Sequence, residues 1–447
     1  MSVTPFDSAI LGPLLSDPEL AALLDDRAQI RAMLAFEAAL ARAEARVGVI
    51  PAAAAEAIGE VAETLEIDPA VLAEGTARDG IPVPALVAAL RRAVGAGAVG
   101  AAAAPYVHWG ATTQDAMDTG LVLRLERALD IMEDRLDLLA GRLAELADAE
   151  RHTPMLARTR GQQATPTCFG LKAAGWLAPL QRHLDRLEEL AERFGVLSFG
   201  GAAGNLSALG GNGPAVEAAL AAELDLAVPA MPWHSQRDSV IELGCWLGLV
   251  AGSLGKMAGD ILLLCQNEVG ELRETGEGGG SSTLPQKQNP VRAEAVAALA
   301  RHAVGLAGQL QQAAFHNHER DGVAWQLEWL VLPQLVMATG AALRQALELL
   351  DGLEIDRARM RANIEATDGL AFAEAASFAL AAHMPRPEAQ ALVKAACRTV
   401  LDEGGQLIEL LAETCDAPVD WEALSDPESQ LGAAEAFIDR VLEPRGG

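Results

Sequence analysis

The sequence predicts an all-α protein whose centre is a bundle of long helices. Three observations lead there. Ala and Leu dominate the chain while aromatic residues make up only 4% of it, a balance that favours helices, because strands select β-branched and aromatic side chains. Leu125, Leu129, Met132, Leu136, Leu139, Leu143 and Leu146 alternate spacings of four and three, the pattern of a seam along which one helix packs on another. Residues 239–272 run 34 positions without a proline, and as one helix they would span about 50 Å.

Taken in order, Ile30 to Gly48 reads as an amphipathic helix stopped by Gly48 and Pro51. Shorter helical pieces follow, and the stretch 95–105 (GAGAVGAAAAP) suits a loop or domain junction. Beyond the seam, long helices are expected at roughly 170–195, 239–272, 291–318 and 325–350. Helices of this length bury their apolar stripes most simply against one another, as an elongated bundle. Segment 239–272 resembles a membrane span in composition, but Glu242, Lys256 and Asp260 interrupt it, and charges at bilayer depth are expensive. Gly244, Gly248 and Gly252 share one face, where a neighbouring helix could approach closely. After residue 351 the pattern shortens and breaks at Met384-Pro385-Arg386-Pro387, which reads as a small helical domain. The expected division is 1–105, 106–350 and 351–447.

With 447 residues, 51% of them hydrophobic, the chain can bury more than one core. Its formal net charge of −28 repels phosphate backbones, so a nucleic-acid partner is not expected. An anionic substrate would need its own local cations. The five cysteines, Cys168, Cys245, Cys265, Cys397 and Cys415, form no CxxC pair and are expected as small apolar core residues. The N-terminus MSVTPFDSAILGPLLSDPEL lacks the basic start and apolar run of a secretory signal, so the expected compartment is the cytoplasm. His316, His318 and Glu319 lack the spacing of a metal site, since helix positions i and i+2 do not face each other. No metal is expected.

The segment with the most chemistry is 276–294, GEGGGSSTLPQKQNPVRAE. Its glycines let backbone amides approach a ligand. Ser281, Ser282 and Thr283 supply hydroxyls, Lys287 a cation and Asn289 an amide. Asn289-Pro290 reads as the cap and first turn of the next helix, whose N-terminus attracts carboxylates. A phosphate loop is excluded, because GxxxxGK[ST] is not satisfied. Two further segments stand out: His108-Trp109-Gly110-Ala111-Thr112-Thr113-Gln114-Asp115, and Ala157-Arg158-Thr159-Arg160-Gly161-Gln162-Gln163. In the second, an extended backbone would aim Arg158 and Arg160 to one side, towards a substrate carboxylate or into surface ion pairs. His108 is either a substrate-site residue or a structural polar contact. Ser235-Gln236-Arg237-Asp238 fits a helix start, with a role in the site as the other reading.

In their order and wording these three segments resemble the motifs of the fumarase/aspartase superfamily, GSSTLPQKQNP standing for its signature loop with Leu284 where Met is usual. The resemblance implies three helical domains, a homotetramer, and active sites shared between subunits. It further implies that Ser281 moves a proton at the carbon next to a carboxylate, without a cofactor. His108, Thr112, Thr113, Gln163, Ser282, Thr283, Lys287 and Asn289 would hold the substrate, with Arg158, Arg160 and Arg320 as further carboxylate ligands. Many lyases of the superfamily have a histidine where Arg160 stands here, and that histidine protonates the leaving group. Either catalysis is lost, or the departing group needs no proton. A carboxylate, with an ordinary pKa near ~4, attacks and leaves as an anion, and an arginine can orient it bidentately. The stretch 32–51 and Glu319-Arg320-Asp321 through Trp325 to Trp329 resemble the 3-carboxy-cis,cis-muconate cycloisomerases of the superfamily. Trp325 stands where adenylosuccinate lyases carry serines around a phosphate-binding arginine. That branch lactonises a small polycarboxylate in the protocatechuate branch of β-ketoadipate catabolism. The competing implication is a fumarate-releasing lyase of the adenylosuccinate or argininosuccinate type.

Overall fold

The computed structural model describes residues 3–97, 100–276 and 278–443. Among these residues the regular elements are helices, apart from two two-stranded antiparallel sheets and two isolated bridges, Val196–Ala227 and Gly280–Gln288. Its contacts divide it into two compact units, each assembled from three separated stretches. The first comprises Met1–Arg135, His183–Gly252 and Leu299–Arg344; the second comprises Leu136–Arg182, Ser253–Ala298 and Gln345–Gly447.

In the first unit, helix Asp26–Val47 ends as expected, at Gly48 in the left-handed conformation (φ 84°) with its N–H returned to the last carbonyls. Its buried face is rich in alanine (Ala38, Ala39, Ala41, Ala43). Such small side chains let helices Ala52–Thr64 and Gly213–Leu224 pack closely on it. That face also buries Glu44, both of whose oxygens lack a hydrogen-bond partner among the described residues. Burial, reinforced by Glu37, pushes its carboxyl up to about 9. The folded state therefore keeps a proton that the unfolded chain releases above its ordinary value of 4.5. Stability on this account is complete below that value and falls as pH rises towards the folded-state pKa. Glu44→Gln is thus expected to gain melting temperature over the wild type, by more at pH 8 than at pH 5. Equal gains at the two pH values would refute the assignment.

The long helices are present with some corrected ends. The seam lies in Thr113–Ala149, and Leu125, Leu129, Met132, Leu136, Leu139 and Leu143 are all buried. Helix Phe169–Phe194 matches its expectation. The proline-free run instead stops at Leu264. Gly270 (φ 64°) turns the chain, and Leu272–Glu274 pairs with Leu353–Ile355. Absence of proline permits a helix, but strand pairing decided where this one ends. Helix Val291–Leu310 likewise gives way to a 3-10 turn at Gln311–Ala314, short of the expected 318. The 95–105 stretch is not simply a loop: Gly100–Ala103 is one helical turn, followed by the 3-10 turn Ala104–Tyr106. The alanine run carries its own helix propensity, and Ala98 and Val99 lie outside the described residues. A Cβ on Gly244 would come within 2.4 Å of Leu310, and one on Gly248 within 2.9 Å of Ala307, so both glycines admit a neighbouring helix; Gly252 faces nothing within 4 Å. The cysteine expectation needs correction too, since Cys168 is buried but Cys245 is exposed and accepts from Gln311. Helices Asp238–Leu264 and Gly322–Asp351 are long and apolar enough to cross a membrane by composition; within the former, Lys256 pairs with Asp260 and Glu242 with Arg193.

In the second unit, strands Pro154–Thr159 and Gln162–Cys168 form a hairpin. Leu156, fully buried, anchors it in a cluster with Ile364, Phe372, Leu380, Val393 and Leu407 from the C-terminal helices. The break near Pro385 falls between helices Ala373–Ala381 and Arg386–Glu403.

Candidate active site

The first motif runs into the start of helix Thr113–Ala149. Asp115 reaches back to accept from the Thr112 N–H at 2.8 Å, a capping-box contact that closes the helix end. The same fully buried carboxylate accepts from the Gly200 and Gly201 N–H groups at 2.9 and 3.0 Å and meets His234 Nε2 at 2.6 Å. Asp115 thus pins the motif to the 200–201 turn. His108 sits in the left-handed region (φ 59°), where a non-glycine residue is uncommon. Its Nδ1 lies 2.6 Å from Glu37 Oε1. Burial alone would lower the His108 pKa, but the Glu37 carboxylate overrides it and raises the value. His108 thus makes a polar contact within the chain, to Glu37.

Arg320 belongs to the same cluster. Its loop is held by Asp321, which caps the next helix by accepting from Val323 and Ala324 and also takes the Asn317 N–H. Those bonds hold the Asp321 carboxyl well below the usual range, the Asn317 amide most of all. Arg320 then donates to Thr112 Oγ1 at 2.8 Å, Thr113 Oγ1 at 3.1 Å and Gln114 Oε1 at 3.1 Å. All three acceptors are neutral. This guanidinium is half-buried with its charge uncompensated by these contacts, and the two threonine hydroxyls keep their protons free to donate. Such a cluster can receive a carboxylate.

Behind it lies a buried ionic network that sequence reasoning missed. Arg237, read from the sequence as part of a helix start or as a site residue, is wholly buried and donates to Asp118 and Glu328 through two edges of its guanidinium. Burial acts to lower its pKa, but the two carboxylates outweigh that and raise it. Trp325 is also buried, and its indole N–H donates to Asp118 Oδ1 at 3.1 Å, so its polar atom is committed inside the chain. His316 lies with its Nε2 3.5 Å from Glu328. The only available sequence signal was an arginine followed by a helix start.

The second motif departs from expectation. The strand ends at Thr159, and Arg160 (φ 52°) with Gly161 (φ 78°) forms a two-residue turn of the left-handed type that suits hairpins. Arg158 and Arg160 therefore do not share one side of an extended segment. Arg158 donates bidentately to the fully buried Glu271, at 2.9 and 2.7 Å, and Asn363 donates to the same carboxylate. Its charge is matched, which corrects the expectation of a free carboxylate ligand. Arg160 and Gln163 are exposed at the hairpin end.

The signature loop is held at its base. Glu274 accepts from the Arg292 and Ala293 N–H groups at 3.0 and 3.3 Å, so the helix N-terminus expected to attract a carboxylate already carries one from the chain. Across the loop, the Asn289 N–H donates to the Gly279 carbonyl at 2.8 Å. Only glycine fits at 279, where φ is 70° and a Cβ would lie 2.5 Å from the Asn289 oxygen. At the tip, Ser281 Oγ accepts from the N–H groups of Thr283 and Leu284 at 3.3 and 3.1 Å. Ser282, Thr283 and Lys287 are exposed and Asn289 half-buried. Glu277 lies outside the described residues. The structure thus groups Thr112, Thr113 and Arg320 in one unit, and the Ser281 loop and the hairpin arginines in the other.

The site elements are a glycine-rich serine loop in one unit and, in the other, an arginine held by two threonines and a glutamine. A family profile described as lyase matches residues 16–305, one described as adenylosuccinate lyase C-terminus matches residues 369–441, and the chain belongs to this lyase family, the fumarase/aspartase superfamily that its motifs resemble. It is 47% identical to a 3-carboxy-cis,cis-muconate cycloisomerase of Pseudomonas aeruginosa, over 94% of this chain and 93% of the relative. A cycloisomerase of the same name from Bradyrhizobium diazoefficiens is 44% identical over 98% of each. The crystal structure of the 3-carboxy-cis,cis-muconate lactonizing enzyme from Pseudomonas putida superposes with a TM-score of 0.92, at 41% identity, covering 97% of this chain and 98% of that one.

Proposed function

We propose that this chain lactonises 3-carboxy-cis,cis-muconate. One carboxylate of the substrate adds through oxygen to the conjugated alkene, and the alkene electrons move into the neighbouring carboxylate as an enediolate. That addition closes the ring; the Ser281 O–H then delivers its proton to the carbon α to that carboxylate to give a carboxymuconolactone, and the serine alkoxide recovers a proton from water. The observation that supports this most directly is the pair of amide N–H groups on Ser281 Oγ. Donors aimed at the oxygen favour its ionised form, so the alkoxide left after proton transfer is stabilised where it forms. Lys287, Asn289, Ser282 and Thr283 are proposed to hold the enediolate, and Arg320 with Thr112 and Thr113 to hold a second carboxylate. The nucleophile is a carboxylate and needs no general acid, which accords with Arg160 in the place of the superfamily's histidine. No cofactor enters the step.

The proposal extends to assembly and place. Leu249, Leu263, Val304 and Leu330 are each about half exposed or more on the long helices, which supports assembly through those helices, proposed as a homotetramer with shared active sites; the cytoplasmic location and the three-part division 1–105, 106–350 and 351–447 are proposed from the superfamily resemblance. The test is direct: purified protein incubated with 3-carboxymuconate should bleach the diene absorbance. No bleaching by folded tetramer would remove this substrate. Fumarate released from adenylosuccinate or argininosuccinate would instead establish the eliminating reaction.

A further inference from the structure

Gln114 is fully buried between the arginine–threonine cluster and the ionic network, and its two ends face chemically opposite partners. One terminal atom lies 3.0 Å from Asp118 Oδ2 and 2.9 Å from the His234 carbonyl. A carboxylate and a carbonyl only accept, so this atom must be the amide nitrogen. The other terminal atom is therefore the carbonyl oxygen, and it accepts from Arg320 Nε at 3.1 Å. Asp118 cannot turn to release the amide, because Arg237 and the Trp325 N–H hold its two oxygens, and Glu328 holds Arg237 from the other side.

We propose that Gln114 is a positioning residue: anchored by the Arg237–Asp118–Glu328 network, it sets the angle at which Arg320 presents its guanidinium edge to a substrate carboxylate. The Nε–H is tied to a neutral amide, so the guanidinium is oriented without being neutralised. A carboxylate at position 114 would cancel the charge that substrate needs and would lose the donor to Asp118 and the His234 carbonyl. The inference rests on Arg320 being a substrate ligand and deepens that reading by assigning its support.

The experiment is a double-mutant cycle on diene turnover, with KM and kcat read separately. Arg320→Met should raise KM by ~10- to 100-fold, the value of a charge-assisted bond. Gln114→Met, of similar volume, should raise KM roughly 5-fold, the value of one neutral bond, with kcat changed far less; the melting temperature falls too, because Asp118 and the His234 carbonyl lose a donor. In the Arg320→Met background the Gln114→Met change should have almost no further effect on KM. Gln114→Glu keeps size and the acceptor for Arg320 but loses the donor to Asp118, and should raise KM more than Gln114→Met does. A purely structural residue would lower the melting temperature and leave KM unchanged. Additive KM effects, or a mild Gln114→Glu, would overturn the positioning role while leaving Arg320 as a ligand. An unchanged KM in Arg320→Met would overturn both.

Discussion

Ser281→Ala is expected to lose at least ~100-fold in kcat on 3-carboxymuconate, the contribution of a positioned proton donor. The loss should fall on kcat because the hydroxyl is proposed to act on the reacting carbon, and the carboxylate ligands remain. Folding should be almost untouched. Ser281 lies on an exposed turn, and the Thr283 and Leu284 N–H groups it releases can be taken up by water. Circular dichroism should therefore superpose on the wild type. A Ser281→Ala protein retaining activity within ~3-fold would remove serine from the mechanism.

Arg237→Met should be as damaging to stability as Ser281→Ala is to turnover. The guanidinium has no exposed surface, and its partners Asp118 and Glu328 are 1% and 2% exposed. Methionine fills much of the volume but leaves two buried carboxylates facing each other without a cation. Breaking a buried pair in this way typically costs ~3–5 kcal/mol. Thermal unfolding followed at 222 nm (a general helix wavelength) would register the loss as a lower midpoint. Adding Asp118→Asn and Glu328→Gln should restore part of it, because the uncompensated charges go with the carboxylates. If Arg237→Met melted within a degree or two of the wild type, the network would not be holding the first motif in place.

Much of the molecule can be read along the chain. The seam Leu125 to Leu143 announced its helix, since burial in a bundle imposes a period that survives in the sequence. Gly48 announced the end of the preceding helix, since a left-handed cap favours glycine. The serine loop was visible because its backbone needs glycines in a row, and Gly279 fits the reason by geometry as well as by motif. The same local reasoning failed where a neighbour intervened. The Asp238–Leu264 helix stops because Leu272–Glu274 finds a strand partner beyond residue 350. Arg160 leaves the extended line because a tight turn needs two left-handed residues in succession. Asp115 lay in the motif, but nothing along the chain says that it binds two glycine amides and a histidine some 85 to 119 positions away.

By itself the sequence determined the helical class, the long-helix seam and the three segments that carry chemistry, because periodicity, capping and motif spacing are properties of neighbouring residues. Only the tertiary structure decided which charges remain available to a ligand. Arg158 is matched by Glu271, Arg237 by Asp118 and Glu328, and the helix amides after Pro290 by Glu274, whereas Arg320 donates, among the described residues, to the neutral oxygens of Thr112, Thr113 and Gln114. The physical reason is that a buried charge is settled by whichever opposite charge the fold brings within hydrogen-bond reach, and that partner can come from anywhere in the chain.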